Sequence, residues 1–446
     1  MKETRSQLNL PGVPRAKQGR EVPPAWAWTK ASVWTERMLA TLERGIKGSR
    51  WFSLMDKVWK LENLLSACQS VARKRGGAGV DGLKAESYLS AGPERLAQMQ
   101  AWLKAGQYTP RPVKRVWIPK LGSKELRPLG VPTVEDRIVQ TAIRNVIEPI
   151  FEHTFAEHSY GFRPGRGAKD ALRRVDQLLK SGRVWVVDAD LKAYFDSIPQ
   201  DRLMAAVAEH ISDGPLLELI QRFLKQGVME SGQDWQPTET GTPQGAVISP
   251  LLANIYLNPL DHLMAGAGRE MVRYADDFVV LCQTQAEAQA ALEQIRQWVA
   301  AAGLTLHPAK TRIVDARQKG GFEFLGYHFE RGRKWPRQKS LLKLRAGIRE
   351  KTGRLRPGGM SQIITEVNRS LRGWFEYFKH SNRSTFRNLD SWVRGRLRSI
   401  LTHRIGQSRT GRWRVADHRR WPLAYFADLG LISMASAQSK ASRPPT

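Results

Sequence analysis

The sequence predicts an α+β fold in which an antiparallel sheet precedes a basic helical domain. Alternation of side chains over Val184–Leu191 predicts a buried β-strand. Apolar runs on both sides of Tyr274–Asp277 predict a buried β-hairpin. Apolar residues recur every three or four positions between Ile363 and Leu401, which predicts amphipathic helices despite the positive charge of this region. These three observations define the predicted fold class.

The first part of the chain predicts an extended arm followed by helices. Residues 1–30 are rich in proline and charge, a composition typical of an arm or linker. The pattern is helical from about Trp34 to Arg75, and an apolar helical stripe between Ile138 and Ile150 predicts plain core packing. A chain of 446 residues exceeds what one hydrophobic core normally serves, so several domains are expected.

Two neighbouring carboxylates, Asp276 and Asp277, occupy the tip of the predicted hairpin. Adjacent acids against a hydrophobic core are costly unless a cation offsets their charge, and divalent cations commonly do so. The period of two along the earlier strand places Asp188 and Asp190 on one face at its carboxyl end. Two Mg²⁺ ions held by carboxylates of separate strands are a common apparatus for phosphoryl transfer to a sugar hydroxyl. Spacing alone leaves Asp188, Asp190 and Asp196 in competition, and a solvated Asp-Asp turn remains an alternative.

The charge of the chain indicates a polyanionic partner. There are 71 Lys and Arg against 42 Asp and Glu, a formal net charge of +29. Residues 331–446 alone contain 27 Lys and Arg and 6 Asp and Glu, so most of the excess lies in the last quarter. Such a field attracts phosphate backbones without reading their sequence, and the binding should weaken steeply with salt. The sequence therefore predicts that this region holds nucleic acid.

Membrane and secreted classes are disfavoured. No uninterrupted apolar stretch approaches the ~18–20 residues of a membrane span, and no lipidation motif or signal segment is recognisable. The two cysteines, Cys68 and Cys282, lie far apart in the sequence, which excludes a disulfide framework or a zinc cluster. A cytoplasmic protein without a membrane partner is expected.

Several blocks resemble the reverse transcriptase/maturase proteins encoded by group II introns. Asp190–Asp196 matches the family pattern D-[IL]-K-x-x-F-D, and Tyr274–Asp277 matches Y-A-D-D. Thr240–Gly245, followed by Ser249–Leu257, matches the block that lies between them. Further matching stretches are 115–120, 127–140, 159–166, 304–311, 321–327 and 368–397. The chain is most similar to bacterial members that lack the carboxyl-terminal endonuclease domain.

The resemblance implies a right-hand polymerase fold with fingers, an antiparallel palm sheet and a helical, basic thumb/maturase domain. The expected domains are an amino-terminal arm and helix (1–50), a fingers extension (51–98), the reverse transcriptase fingers and palm (99–330), the thumb/maturase domain (331–440) and a tail (441–446).

The resemblance also implies roles for individual residues. Asp190 and Asp276 would bridge two Mg²⁺ ions, Asp277 would support the site, and the backbone of Leu191 would touch one metal. The residues expected to contact the incoming dNTP are Lys120, Arg127, Phe195, Gln244 and Lys310. Phe195 would exclude a 2′-hydroxyl, although a core aromatic is the alternative for it, and plain surface charge is the alternative for Lys120 and Arg127.

The implied activity is RNA-directed DNA synthesis on an RNA template with a DNA primer. The family also implies binding of the chain's own group II intron RNA, help in its splicing, and copying of the intron at a DNA target (target-primed reverse transcription). Arginines expected on outer helical faces, where they would grip RNA by shape and backbone, are Arg383, Arg387, Arg394, Arg398 and Arg412. Two alternatives stay open: a splicing cofactor with little polymerase activity, and a reverse transcriptase recruited for host repair or defence.

Overall fold

The computed structural model describes residues 26–46, 50–90, 93–119, 126–230, 235–406 and 415–441. Its helices are α1 (Glu36–Arg44), α2 (Met55–Val58), α3 (Leu61–Arg73), α4 (Ala85–Ser90), α5 (Pro93–Lys104), α6 (Val134–Glu152), α7 (Ala168–Lys180), α8 (Tyr194–Ser197), α9 (Gln200–Ala208), α10 (Gly214–Lys225), α11 (Ser249–Gly266), α12 (Gln285–Ala301), α13 (Gln338–Lys351), α14 (Met360–Phe378), α15 (Arg383–Arg404), α16 (Val415–Arg420), α17 (Leu423–Asp428) and α18 (Met434–Ala441). Its strands are β1 (Val113–Pro119), β2 (Leu126–Val131), β3 (Trp185–Asp190), β4 (Val228–Met229), β5 (Glu270–Tyr274), β6 (Asp277–Cys282), β7 (Arg312–Asp315), β8 (Phe322–Phe324), β9 (Tyr327–Glu330) and β10 (Arg333–Pro336).

The described residues form two compact units. The first unit runs up to Val116 and adds Leu129–Phe155 and Ile198–Tyr256, and the second comprises Trp117–Pro128, Ala156–Ser197 and the chain from Leu257 onward. The predicted arm residues 1–25 and the tail residues 442–446 lie outside the described residues. Within the described residues, no helix is long and apolar enough to cross a membrane.

Helix α6 forms the centre of the first unit. It begins at Thr133, whose hydroxyl caps the helix by accepting a hydrogen bond from the amide of Asp136. Its apolar stripe is buried, as the sequence predicts for the residues between Ile138 and Ile150. The side chain of Asn63 on α3 donates from Nδ2 to the carbonyl of Ala142 (3.1 Å) and accepts at Oδ1 a hydrogen bond from the side-chain Nδ2 of Asn145 (2.9 Å). These hydrogen bonds join α3 to α6.

The second unit is built on a four-stranded antiparallel sheet of order β5-β6-β3-β7. Strands β3 and β6 consist largely of apolar residues. Helices α7 and α12 pack against the sheet, so the side chains of these strands are buried. Strands β8, β9 and β10 form a second antiparallel sheet, whose aromatic side chains share a core with α7 and the sheet strands. The hydroxyl of Tyr377 on α14 donates to the carbonyl of Leu325 (2.7 Å), which ties the following helices to this sheet.

The basic region after β10 is helical and has its own core, as its periodicity predicts. Helices α13, α14 and α15 bury one apolar face each, together with residues of α17 and α18. Asp390 on α15 is buried and accepts hydrogen bonds from the amides of Met434 (3.1 Å) and Ala435 (3.1 Å), which stabilises the start of α18. Trp374 on α14 packs against this core and also lies 4.6 Å from Phe378, which belongs to the core around the sheets.

Candidate active site

A single row of side chains crosses three strands of the four-stranded sheet. In the register, Tyr274 of β5 lies opposite Asp277 of β6, and Asp277 lies opposite Asp190 of β3. Directly opposite residues of antiparallel strands point to the same face, so these three side chains are neighbours. Asp188 is two residues earlier on β3 and therefore shares that face. The register thus brings together carboxylates that are more than eighty residues apart in the sequence.

The hairpin tip between β5 and β6 consists of Ala275 and Asp276 only. Ala275 has φ of 61°, a left-handed conformation that costs a residue with a Cβ about 1–2 kcal/mol. The fully buried guanidinium of Arg273 supports this conformation: its Nη1 donates to the carbonyl of Ala275 (2.9 Å). The same guanidinium donates from Nε to both carboxylate oxygens of Asp261 on α11 (2.8 and 3.0 Å). The turn that carries Asp276 is therefore stabilised by the buried Arg273–Asp261 ion pair.

The carboxylates of the row repel one another and are poorly solvated. Burial, followed by the charges of Asp188, Asp276 and Asp190, raises the pKa of Asp277 from its ordinary value of 3.8 to about 7. Burial also raises the pKa of Asp276, and the charge of Asp190 adds to that rise. Clusters with raised pKa values of this kind are typical of sites that bind cations or transfer protons.

Two cations of the protein already touch the cluster. Lys310 Nζ lies 2.5 Å from Asp190 Oδ2, and Arg312 Nε lies 3.4 Å from Asp188 Oδ2. The pKa of Asp188 is raised by burial to about 6, although Arg312 opposes this rise. Each of the two carboxylates therefore has its own cation, and the choice between Asp188 and Asp190 as a metal ligand stays a prediction.

The end of β3 is fixed by backbone bonds to a segment that precedes Lys310. The amide of His307 donates to the carbonyl of Asp190 (2.7 Å), and the amide of Lys192 donates to the carbonyl of Thr305 (2.8 Å). Leu191 forms an isolated bridge with Leu306 between these bonds. The backbone at Asp190 is thus held by β6 on one side and by residues 305–307 on the other.

The donor set of the row suits a hard divalent cation. Asp190, Asp276 and Asp277 offer carboxylate oxygens, which are the ligands that Mg²⁺ prefers. As they stand, no three His, Cys, Asp or Glu side chains in the described part of the chain converge on one point closely enough to form a ready metal centre. The ammonium of Lys310 neutralises Asp190 in this arrangement. The residues fit a metal by chemistry and strand position, and their roles as ligands stay predictions.

The predicted nucleotide-binding residues are placed differently from one another. Phe195 lies on α8, five residues after Asp190, and its half-buried ring is 5.6 Å from the ring of Tyr194. Arg127 is exposed on β2. Gln244 is half-buried in the first unit, where its carbonyl accepts a hydrogen bond from the amide of Gly130. Lys120 lies outside the described residues. Their contacts with a nucleotide stay predictions.

The predicted RNA-binding arginines do not all lie on an outer face. Arg383 and Arg387 are exposed on α15, and Arg394 is half-buried. The expectation for Arg398 is wrong, because it is buried, donates from Nε to the carbonyl of Trp421 (3.0 Å) and stacks on the ring of Phe426. It fills the core of the helical domain. Arg412 lies outside the described residues.

Two residues at the site were not predicted from the sequence. One is Arg273, and the signal for it was present, since a charged residue inside a buried apolar strand requires a partner. The other is Phe162, which has φ of 59° and an exposed fraction of 51% although its ring lies 6.4 Å from that of Tyr274. Nothing in the local sequence indicates that conformation.

An antiparallel sheet with a carboxylate row, followed by a basic helical domain, defines a template-directed nucleotide polymerase of the right-hand type. Residues 118–329 match the family model of reverse transcriptase (RNA-dependent DNA polymerase), and residues 341–421 match the maturase-specific domain of group II introns. The chain belongs to the group II intron type of reverse transcriptases, and it is an RNA-directed DNA polymerase with a maturase domain. The predicted fold class and family are confirmed.

The chain is similar to individual proteins over different parts of its length. The chain is 34% identical over 339 residues to Protein YkfC of Escherichia coli K12, which covers 67% of this chain and 88% of that protein. It is 40% identical over 185 residues to the group II intron-encoded protein LtrA of Lactococcus lactis, which covers 42% of this chain and 31% of that protein. A solved partial Cas6-RT-Cas1–Cas2 complex matches with 27% identity and a TM-score of 0.36, covering 56% of this chain and 41% of that one.

Proposed function

We propose that RNA-directed DNA synthesis takes place at the carboxylates of β3 and the β5–β6 hairpin, with Asp190 and Asp276 holding two Mg²⁺ ions and Asp277 supporting the site. The observation that carries this proposal is the register that sets Asp190 opposite Asp277 beside the tip residue Asp276. The raised pKa of Asp277, about 7, adds support, because cations would relieve the same repulsion. When bound, the two ions would supply activation of a primer 3′-hydroxyl and stabilisation of the leaving pyrophosphate.

The other residues of the site would bind and orient the substrate. The backbone of Leu191 would face one ion, since it directly follows Asp190 at the end of β3. Lys310, now paired with Asp190, would turn to the phosphates of a bound dNTP once a metal neutralises that carboxylate. Phe195 would lie against the sugar and exclude a 2′-hydroxyl. Arg127, Lys120 and Gln244 would complete the nucleotide site.

We further propose that the helical domain binds a group II intron RNA and assists its splicing, and that the same polymerase copies the intron at a DNA target. The net positive charge of residues 331–446 and the exposure of Arg383 and Arg387 support this proposal. A-form RNA is recognised mainly by its shape and backbone, which suits guanidinium groups on an outer helical face. A cytoplasmic location fits two cysteines, Cys68 and Cys282, that are both buried and unpaired.

One pair of assays separates the two activities. Asp276→Ala should abolish dNTP incorporation and leave intron RNA binding and splicing within about twofold of the native protein, because the carboxylate row is not part of the basic helical domain. Asp428→Ala, an exposed substitution in that domain, is the matched control. Splicing lost in step with polymerisation would contradict the division of labour. Polymerisation without preferential intron binding would instead assign a reverse transcriptase acting in host repair or defence.

A further inference from the structure

The segment from His158 to Phe162 extends the active-site row beyond the edge strand β5. Its backbone pairs with β5: the amide of Arg273 donates to the carbonyl of His158 (3.0 Å), and the amide of Tyr160 donates to the carbonyl of Arg273 (2.8 Å). This pairing brings the ring of Phe162 to 6.4 Å from the ring of Tyr274. The row therefore runs from an aromatic end, through Asp277 and Asp190, to Lys310 at the other end.

The segment is a fixed part of the fold. A Cβ on Gly161 would collide with the backbone of Tyr274 and Ala275, so the chain passes directly against the hairpin tip. Arg163 is buried and donates from Nη1 to the carbonyls of Ala156 (2.6 Å) and Ser159 (2.7 Å), which holds the turn from inside. The contacts of its two sequence neighbours, Gly161 and Arg163, thus fix the position of Phe162.

The left-handed backbone conformation of Phe162 costs free energy that the burial of its side chain does not offset. A left-handed φ of 59° costs a residue with a Cβ about 1–2 kcal/mol and is rare for a bulky side chain. Half of the side chain is exposed, so little apolar area is removed from water. Glycine would satisfy this backbone without strain. Strain of this kind is typically retained at positions where the side chain meets a ligand.

The two ends of the row suit the two sides of the reaction. The attacking and leaving oxygens lie roughly in line across the transferred phosphorus. If Lys310 meets the leaving pyrophosphate at one end, the primer 3′ end would lie toward the aromatic end. With strands about 4.8 Å apart and a ring separation of 6.4 Å, the Phe162 ring would lie about 11 Å along the row from Asp277, a span of about three nucleotides at roughly 3.4 Å each.

We propose that Phe162 packs against the sugars of the primer strand close to its 3′ end and holds the primer–template on the carboxylate row. This inference rests on the proposed position of the catalytic carboxylates and assigns the neighbouring primer contact. A ring that packs on sugars makes no contact with base edges, so it reads no sequence, as a general polymerase requires. Because the bases of the annealed primer stay paired and stacked, this contact would add to primer affinity and leave the dNTP site unchanged.

The test compares Phe162→Leu, Phe162→Gly and Phe162→Tyr with the native chain. Binding of a fluorescent DNA primer annealed to RNA is measured by anisotropy, and extension gives kcat and separate KM values for primer–template and dNTP. Loss of this ring contact should weaken primer–template binding about 3- to 15-fold. The KM for dNTP should stay within about twofold, and the tyrosine variant should stay close to native. Phe52→Leu, at a phenylalanine that is 70% exposed, is the control and should bind as the native chain does.

The glycine variant separates contact from folding. Glycine relieves the left-handed backbone strain at position 162. The unfolding temperature of the glycine variant should therefore equal or exceed that of the leucine variant, and the two variants should bind the primer equally weakly. Native-like primer binding by both variants would overturn the proposal. A glycine variant whose loss of primer binding is matched by an equal fraction of unfolded protein would also overturn it. If the native chain binds and extends primers normally while these variants match it, only the role of Phe162 fails. If the native chain does not extend at all, the proposed site of polymerisation fails, and anisotropy still tests Phe162.

Discussion

Replacing Asp277 with asparagine should stabilise the metal-free protein at pH 8. Burial and the charges of Asp188, Asp276 and Asp190 raise the pKa of Asp277 from 3.8 to about 7 in the folded state. A carboxyl with a raised pKa favours the folded state fully below about pH 4, and this contribution is lost as pH rises through 7. The difference of about three pH units corresponds to at most about 4 kcal/mol. Asparagine removes the charge but must still be accommodated, so a gain of about 1–3 kcal/mol is expected.

Urea unfolding with EDTA at about pH 5 and pH 8 measures this effect. At pH 5 the unfolded carboxyl is ionised but the folded one is largely protonated, so only about one of the three pH units of the shift is expressed, and the stability of the variant relative to the native chain should be about 2–3 kcal/mol lower than at pH 8. At pH 8 the variant should be the more stable, and saturating Mg²⁺ should stabilise the native chain more than the variant, because the ion binds the folded carboxylates. Asp428→Asn, at an exposed position of α17, is the control and should be neutral at both pH values. A variant that is less stable than the native chain at pH 8 would show that the charge of Asp277 does not destabilise the folded state.

Substitutions of the buried ion pair, of the ring of Phe195 and of two exposed arginines on α15 test other parts of the structure. Arg273→Met and Asp261→Asn should each cost about 3–5 kcal/mol in urea unfolding because each leaves a buried charge unpaired, whereas the double variant should cost less than their sum; additive losses would exclude the pair. Phe195→Ala should raise ribonucleotide incorporation relative to dNTP incorporation, and unchanged discrimination would return Phe195 to a packing role. Arg383→Gln with Arg387→Gln should lower the slope of log affinity for intron RNA against log salt by about one for each lost phosphate contact; an unchanged slope would assign both to solvent.

The carboxylate row was largely predictable from sequence. A strand of period two and a hairpin with two acids at its tip are local patterns, and they predicted the side chains that the register of β3 and β6 brings together. The choice between Asp188 and Asp190 was not predictable from spacing, because both lie on one face. The structure gives each carboxylate a different cation: Arg312 contacts Asp188 and Lys310 contacts Asp190, and both cations lie more than one hundred residues away in the sequence.

Contacts across long sequence distances explain what the patterns missed. The periodicity of α15 shows one apolar face, but Trp421 and Phe426 cover a further face and bury Arg398. The Arg273–Asp261 pair likewise depends on how α11 packs beneath the hairpin. Phe162 takes a left-handed φ because its backbone is pinned against the hairpin tip. Tertiary packing of this kind leaves no periodic trace in the local sequence.

Primer extension on an RNA template with Mg²⁺ and dNTPs, comparing the native chain with Asp276→Ala, tests the proposed catalytic site most directly. We expect extension by the native chain, none above background by the variant, and equal binding of primer–template by both in the absence of Mg²⁺. Extension by the variant at a native rate would show that the hairpin carboxylate is not part of the catalytic site.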